Sequence, residues 1–311
     1  MASTSDVVAL KKSLQAKHGT PEASTPIVVI PTVRGSLHFV VVGAGGTGAR
    51  VVPPLTQMMR HGDYLSIIDH DIVEDRNLLR QHFTAADIGT PKALVLAARY
   101  RRPGIQIAAY VRQVIEGEWQ MHGLAYVLGQ AVRAAHVRPS GTIIIGCVDN
   151  AAARRGLCEL MIQPSAFATA PVAWIDVGNE MRAGQAMLTI HSWQVRMPMM
   201  GAGNLVVHLP GLPSAMPQLL RDAPEDTASC GDRIDLQTVQ VNHMAAGAAV
   251  NMASWLMLGI PFASCGAFFS TLNTMQPIRI QGYDSTTHTL LPDTQYAIQE
   301  ESANETQAPA F

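Results

Sequence analysis

Gly43, Gly45 and Gly48 stand at the spacing G-x-G-x-x-G, directly behind the apolar run Leu37-His38-Phe39-Val40-Val41-Val42. A glycine turn between a strand and a helix lets backbone N–H groups and the helix N-terminus approach phosphate oxygens. Asp69 closes the next apolar run, where a carboxylate can accept a hydrogen bond from a ribose hydroxyl. The pattern predicts nucleotide binding, against the alternative of glycines that only make a tight turn. It leaves a dinucleotide and ATP both open, although no G-x-x-x-x-G-K-[ST] occurs and the loop is not a Walker loop.

Residues downstream separate the two ligands. Arg76-Asn77-Leu78-Leu79-Arg80-Gln81 follows the acidic turn Asp69-His70-Asp71, and Lys92 lies in Gly89-Thr90-Pro91-Lys92 near a helix start. Asp149 and Asn150 end a later apolar run, with Arg154 one helical turn beyond. Strand ends on one edge of a parallel sheet face one crevice, so Arg80, Lys92, Asp149 and Asn150 are expected to converge. Hydride transfer has little use for two cations and an extra carboxylate there. A triphosphate with Mg²⁺ needs them: cations offset charge on the leaving pyrophosphate, and Asp149 holds the metal. The competing account makes Arg80 and Lys92 surface charges and Asp149 a helix cap.

The elements that must carry these residues alternate. Strands are expected at Leu37–Val42, Tyr64–Ile68, Ile105–Val111, Thr142–Ile145 and Val172–Val177. Helices are expected from Thr47 to about Arg60, Thr90–Tyr100, Glu118–His136 and Ala151–Gln163. Such β-α alternation predicts a Rossmann-like α/β fold: a largely parallel sheet with helices on both faces. Later strands are weaker, at Ala186–His191, Leu205–Leu209, Ala267–Leu272 and Ile278–Ile280. The Pro- and Gly-rich stretch 197–229 reads as a crossover loop. A late Ala-rich helix over 237–258 carries Gln237, Gln240, His243, Gly247, Asn251 and Ser254 down one side. Residues 1–34 form an N-terminal extension with a short helix at Val7–Lys17, 35–290 the main domain, and 291–311 a tail.

Composition narrows the function further. The chain has 311 residues, 48% apolar and 15% charged, enough to bury a sizeable core. Its net charge of −2 lacks the basic excess of non-specific nucleic-acid binding. No secretory pattern opens the chain, the late helix has a polar face, and a cytoplasmic, non-membrane location is expected. The cysteines at 147, 158, 230 and 265 form no C-x-x-C pair, so no zinc is expected. Asp69-His70-Asp71 lacks the partner histidines of a transition-metal site.

In order and spacing, Gly43-Ala44-Gly45-Gly46-Thr47-Gly48, Asp69-His70-Asp71-Ile72-Val73, Asn77-Leu78-Leu79-Arg80-Gln81, Gly89-Thr90-Pro91-Lys92 and Val148-Asp149-Asn150 resemble the ThiF/MoeB/ubiquitin-activating superfamily. The likeness is dense from about residue 37 to 180 and thins beyond. It implies ATP·Mg²⁺-dependent adenylation of the C-terminal carboxylate of a small ubiquitin-like or sulfur-carrier protein, by a homodimer. The glycine loop (Gly43, Gly45, Gly46, Gly48), Asp69, Asp71, Asn77, Arg80, Gln81, Lys92, Asp149 and Asn150 would make the nucleotide site. Asp69 would hold the ribose; Asn77, Arg80 and Lys92 the phosphates; Asp149 the metal. Cys230, ahead of the late helix, is either a thiolate that attacks the acyl-adenylate or an inert thiol. The N-terminal arginine that many members lend to a partner subunit has no clear counterpart here, Arg34 being the one candidate. A zinc-free chain with Ser229-Cys230 looks most like the ThiF-type protein of bacterial PRTRC gene clusters, whose implied neighbours are a ubiquitin-like protein and a JAB-type peptidase. Two other readings stay open: adenylation of a non-protein carboxylate such as a tRNA-borne acid, and a non-catalytic nucleotide-binding adaptor.

Overall fold

The computed structural model describes residues 27–30, 35–78, 80–113, 139–162, 171–180, 182–197, 202–221, 239–271, 275–284, 286 and 289–292. The helices expected at Val7–Lys17 and Glu118–His136, together with Arg34, Cys230 and the part of the expected tail beyond residue 292, lie outside them; its first two residues belong to the last strand.

Five parallel strands form the first half of the sheet, in the order β3-β2-β1-β4-β5. They are β1 (Leu37–Val42), β2 (Tyr64–Ile68), β3 (Gln106–Tyr110), β4 (Gly141–Gly146) and β5 (Val172–Asn179). Every residue of β1, β2 and β4 is buried, as strands covered on both faces require. Helices α1 (Gly48–Met58) and α2 (Lys92–Arg99) link β1 to β2 and β2 to β3; α3 (Ala151–Ile162) links β4 to β5. The strand order reverses between these two sets, so right-handed crossovers put α3 on the face opposite α1 and α2. Pro53 and Pro54 lie inside α1 and remove two backbone donors; the buried residues Ala49, Val51, Val52 and Leu55 hold it against the sheet.

Beyond β5 the chain turns antiparallel. Strand β6 (Ala183–Met197) pairs with β5, then with β7 (Ala202–Leu209), and over Ala183–Met187 with β8 (Ser264–Ser270). Strands β9 (Gln276–Asp284) and β10 (Thr289–Pro292) complete a circuit β6-β7-β10-β9-β8-β6. The second half of the sheet is therefore a closed ring that shares β6 with the open parallel half. The stretch 197–229 is corrected accordingly: it holds β7 from Ala202, helix α4 (Gly211–Ala215) and a 3₁₀ turn at Pro217–Leu220. Among the described residues Pro210 follows β7 and Pro217 opens the 3₁₀ turn, where no ladder donor is needed.

Helix α5 (Val239–Leu258) lies against α1, β5, β6 and β8. Its Val241, Ala245, Ala248, Ala249, Met252, Ala253 and Leu256 are buried, Gln240, His243, Gly247 and Asn251 are exposed and Ser254 is half-buried, so the helix has one polar face and that face is turned outward. Among the described residues no helix is long and apolar enough to cross a membrane. Two polar devices sit inside the parallel half. The Asp63 carboxylate accepts from the Leu37 N–H at 2.8 Å, fixing the start of β1. His38 is buried on β1, bonded to Ser66 Oγ at 2.8 Å and stacked on Tyr64, and burial lowers its pKa to about 3.

Candidate functional site

The carboxyl ends of β1, β2 and β4 meet at one edge of the sheet. The Gly43 N–H donates to the Ile68 carbonyl at 2.8 Å and the Cys147 N–H to the Val42 carbonyl at 2.7 Å, so the three strand ends stay in register as they leave the sheet. Gly43 has φ of 90°, and a Cβ there would come within 2.4 Å of the Cys147 carbonyl oxygen. A Cβ on Gly48 would lie 1.8 Å from the Gly43 carbonyl oxygen, so the loop closes tightly on itself. Gly45 is different: nothing lies within 4 Å of a Cβ built there, which leaves room over the loop for a ligand.

Asp69 is 8% exposed and braces this loop. One carboxylate oxygen accepts the Ala44 N–H and the other accepts the Asp71 N–H, the latter at 2.7 Å. Each oxygen keeps a second lone pair, which suits a ribose hydroxyl. Burial raises the Asp69 pKa, partly opposed by those two N–H groups and by the Lys92 charge.

Lys92 is not the surface charge of the competing account. It is 5% exposed, its Nζ lies 2.7 Å from Asp71 Oδ2, and its N–H donates to the Asp71 carbonyl at 2.9 Å. Ile72 and Pro91 form a β-bridge beside the pair, so the acidic turn and the G-T-P-K turn are joined directly. Burial acts to raise the Asp71 pKa, but the Lys92 hydrogen bond and charge, with His70 and Arg76, outweigh it and hold the carboxyl low. Asp69, His70 and Asp71 are the one group of three metal-type ligands found among the described residues.

Asn77 is buried at the end of a 3₁₀ turn, Asp75–Asn77, and its Oδ1 accepts the Glu74 N–H at 2.9 Å. Its carbonyl accepts the N–H groups of Arg80 at 3.2 Å and Gln81 at 2.8 Å, which fixes the turn that carries both side chains. Arg80 is half-buried, and Gln81 Oε1 is buried without a hydrogen-bond partner. On the neighbouring strand end Asp149 and Asn150 are exposed. Asn150, not Asp149, caps α3: its Oδ1 accepts the Ala153 N–H at 2.8 Å. Asn150 Nδ2 also lies 3.2 Å from Asp149 Oδ1. An exposed carboxylate with one oxygen lightly engaged fits a hard divalent ion that also takes phosphate oxygens and water.

Arg154 turns away from this edge. Its Nε lies 3.3 Å from Asp176 Oδ1 on β5, and it donates to the Val148 carbonyl at 3.0 Å. Burial pushes the Asp176 pKa up to about 6, with Arg154 acting against it. Cys147 and Cys158 are packing residues, the thiol of each pushed up by burial.

Two groups of residues escaped the sequence reading. Asn242 of α5 is 2% exposed, and its Oδ1 accepts from Thr47 Oγ1 at 3.1 Å and from Asn179 Nδ2. Its Nδ2 would stand 2.8 Å from a Cβ on Gly46, so the late helix forms the back wall of the glycine loop. The available signal was a lone amide on the apolar side of the helix, outside its polar row. Arg50, His82 and His243 form the second group, beside the same loop.

The ThiF family profile matches residues 33–194, more than half of the 311-residue chain. The chain belongs to the ThiF family. The family match spans the glycine loop, Asp69, Asp71, Asn77, Arg80, Gln81, Lys92, Asp149 and Asn150, and stops within β6. Comparison with curated proteins finds no match. Among solved structures, E. coli MccB with succinimide aligns at a TM-score of 0.47 and 14% identity, over 79% of this ThiF-family chain and 64% of the MccB chain. E. coli MccB with ATP aligns at 0.47 and 15%, over 80% and 64%. PaaA aligns at 0.48 and 14%, over 78% and 64%. The chain thus spans just under two-thirds of the length of these structures.

Proposed function

We propose that this ThiF-family protein uses ATP to adenylate the C-terminal carboxylate of a small ubiquitin-like or sulfur-carrier protein. The observation that carries the reading is the linkage at the sheet edge: Asp69 braces the glycine loop, and Asp71 ties Lys92 to the same turn. Family membership and the motif order support it.

Gly43, Gly45, Gly46 and Gly48 present backbone to the phosphates, and Asp69 accepts from the ribose. Asn77, Arg80, Gln81 and Lys92 bind and orient the triphosphate. Asp149, with Asn150 beside it, would hold Mg²⁺, which supplies charge neutralisation on the phosphate oxygens. The incoming carboxylate oxygen bonds to the α-phosphorus as the bond to the bridging oxygen of pyrophosphate breaks. The products are an acyl-adenylate and pyrophosphate, and no redox step is involved. Where Cys230 acts, its thiolate attacks the acyl carbon, AMP leaves, and a thioester remains. The absence of C-x-x-C pairs and the Ser229-Cys230 step support a PRTRC-type subfamily assignment, and the superfamily resemblance supports a homodimer.

The test is ATP–pyrophosphate exchange with a ubiquitin-like protein ending in glycine. Exchange is expected only with the tail present and is expected to vanish in Asp149→Ala. Unchanged exchange in that variant refutes the metal role, and nucleotide binding without exchange for any carboxylate supplied favours an adaptor. Mass spectrometry of the mixture reads the adenylated tail and any thioester on Cys230.

A further inference from the structure

We propose that Arg50, His82 and His243 form an anion subsite beside the glycine loop that receives the pyrophosphate released on adenylation; the inference rests on the reading above. Arg50 belongs to the first turn of α1, where a cation opposes the positive end of the helix dipole and calls for an anionic partner. It is 7% exposed, one guanidinium nitrogen donates to the Gly46 carbonyl, and its Nε is buried with no partner. A buried donor of this kind is costly until an acceptor reaches it.

Two histidines close the subsite from other elements. His82 follows Gln81 in the turn that carries Arg80, and His243 follows Asn242, the back wall of the loop. Their rings meet edge-on with centroids 6.5 Å apart. Burial and the Arg50 charge lower both imidazoles; His243 and Arg99 lower His82 further. Arg99 is itself engaged by Asp87 and by the His82 carbonyl. Among the described residues no carboxylate pairs with Arg50, His82 or His243. Three donors with no counter-charge next to a phosphate-binding loop constitute a site for a polyanion. Pyrophosphate is the one that the proposed reaction produces there.

An anion in the subsite favours protonated imidazole, so pyrophosphate binding should take up protons at neutral pH. The experiment is calorimetric titration of pyrophosphate and, separately, of AMP, into wild type and a His82→Gln/His243→Gln double variant. Two buffers of different ionisation enthalpy report the proton uptake. Expected are proton uptake with pyrophosphate in the wild type, its loss in the double variant, and affinity weaker by about tenfold or more. AMP affinity should not change. Equal pyrophosphate affinity and uptake in both proteins overturns the proposal. So does equal weakening for AMP and pyrophosphate, or no pyrophosphate binding by the wild type. Failure of the wild type to bind AMP instead strikes the adenylation reading, while the pyrophosphate titration still decides the subsite.

Discussion

Asn242→Ala tests how far the late helix supports the glycine loop. The substitution deletes an acceptor that takes the Thr47 hydroxyl at 3.1 Å and the Asn179 amide. Thr47 and Asn179 keep a bond to each other at 3.1 Å, so neither is orphaned outright. The loss is then two neutral hydrogen bonds in a buried place, about 1–3 kcal/mol together. Denaturant unfolding should show a lower midpoint with an unchanged slope, because the surface exposed on unfolding is the same. A double-mutant cycle with Thr47→Val should give a coupling of about 0.5–1.5 kcal/mol. AMP should also bind more weakly, since Gly46 loses the wall behind it. Additive effects of the two substitutions, or a midpoint shifted by less than about 0.3 kcal/mol, would refute the idea that this contact holds the loop.

Three further predictions follow from the same geometry. Gly48→Ala puts a methyl group 1.8 Å from the Gly43 carbonyl oxygen, so the turn must move; a loss of about 2 kcal/mol or more is expected in denaturant unfolding, with nucleotide binding abolished. Arg154→Met leaves the fully buried Asp176 carboxylate without its cation; about 3–5 kcal/mol should be lost at pH 8, and less at pH 5, where Asp176 protonates more readily. His38 binds a proton in the unfolded chain but not in the folded one between about pH 6.5 and its lowered pKa of about 3, so its contribution to stability falls as the pH drops through that window. Asp176, raised to about 6, works in the opposite direction between about 3.8 and 6. The difference between wild type and His38→Asn should therefore change by about 1.4 kcal/mol per pH unit below 6.5, read from unfolding midpoints across pH.

Much of the parallel half was legible because each strand is an apolar run that ends in a residue with chemistry. Leu37–Val42 ends in the glycine loop, Tyr64–Ile68 in Asp69, and Gly141–Gly146 leads to Asp149. The Asp71–Lys92 ion pair was not legible, because two charges 21 residues apart show no local sign of contact. Nor was the ring of β6 to β10: β6 bonds to three other strands, and pairing partners of that kind are set by tertiary packing. The strand at Ala202–Leu209 was only half visible, because the prolines around it mask its start and end. Asn242 shows the same limit from the other side. A polar residue on an apolar helix face announces a partner without naming it.

The shared strand has a thermodynamic consequence. Over Gly184–Met187, β6 is hydrogen-bonded to β5 on one side and β8 on the other. Melting the ring would strip β5 of its β6 neighbour, and melting the nucleotide-binding half would uncover the edge of β6 that β5 pairs with. The two halves cannot come apart one after the other without leaving a long row of unsatisfied amides in the interior. A calorimetric scan should accordingly show a single endotherm, with equal van't Hoff and calorimetric enthalpies.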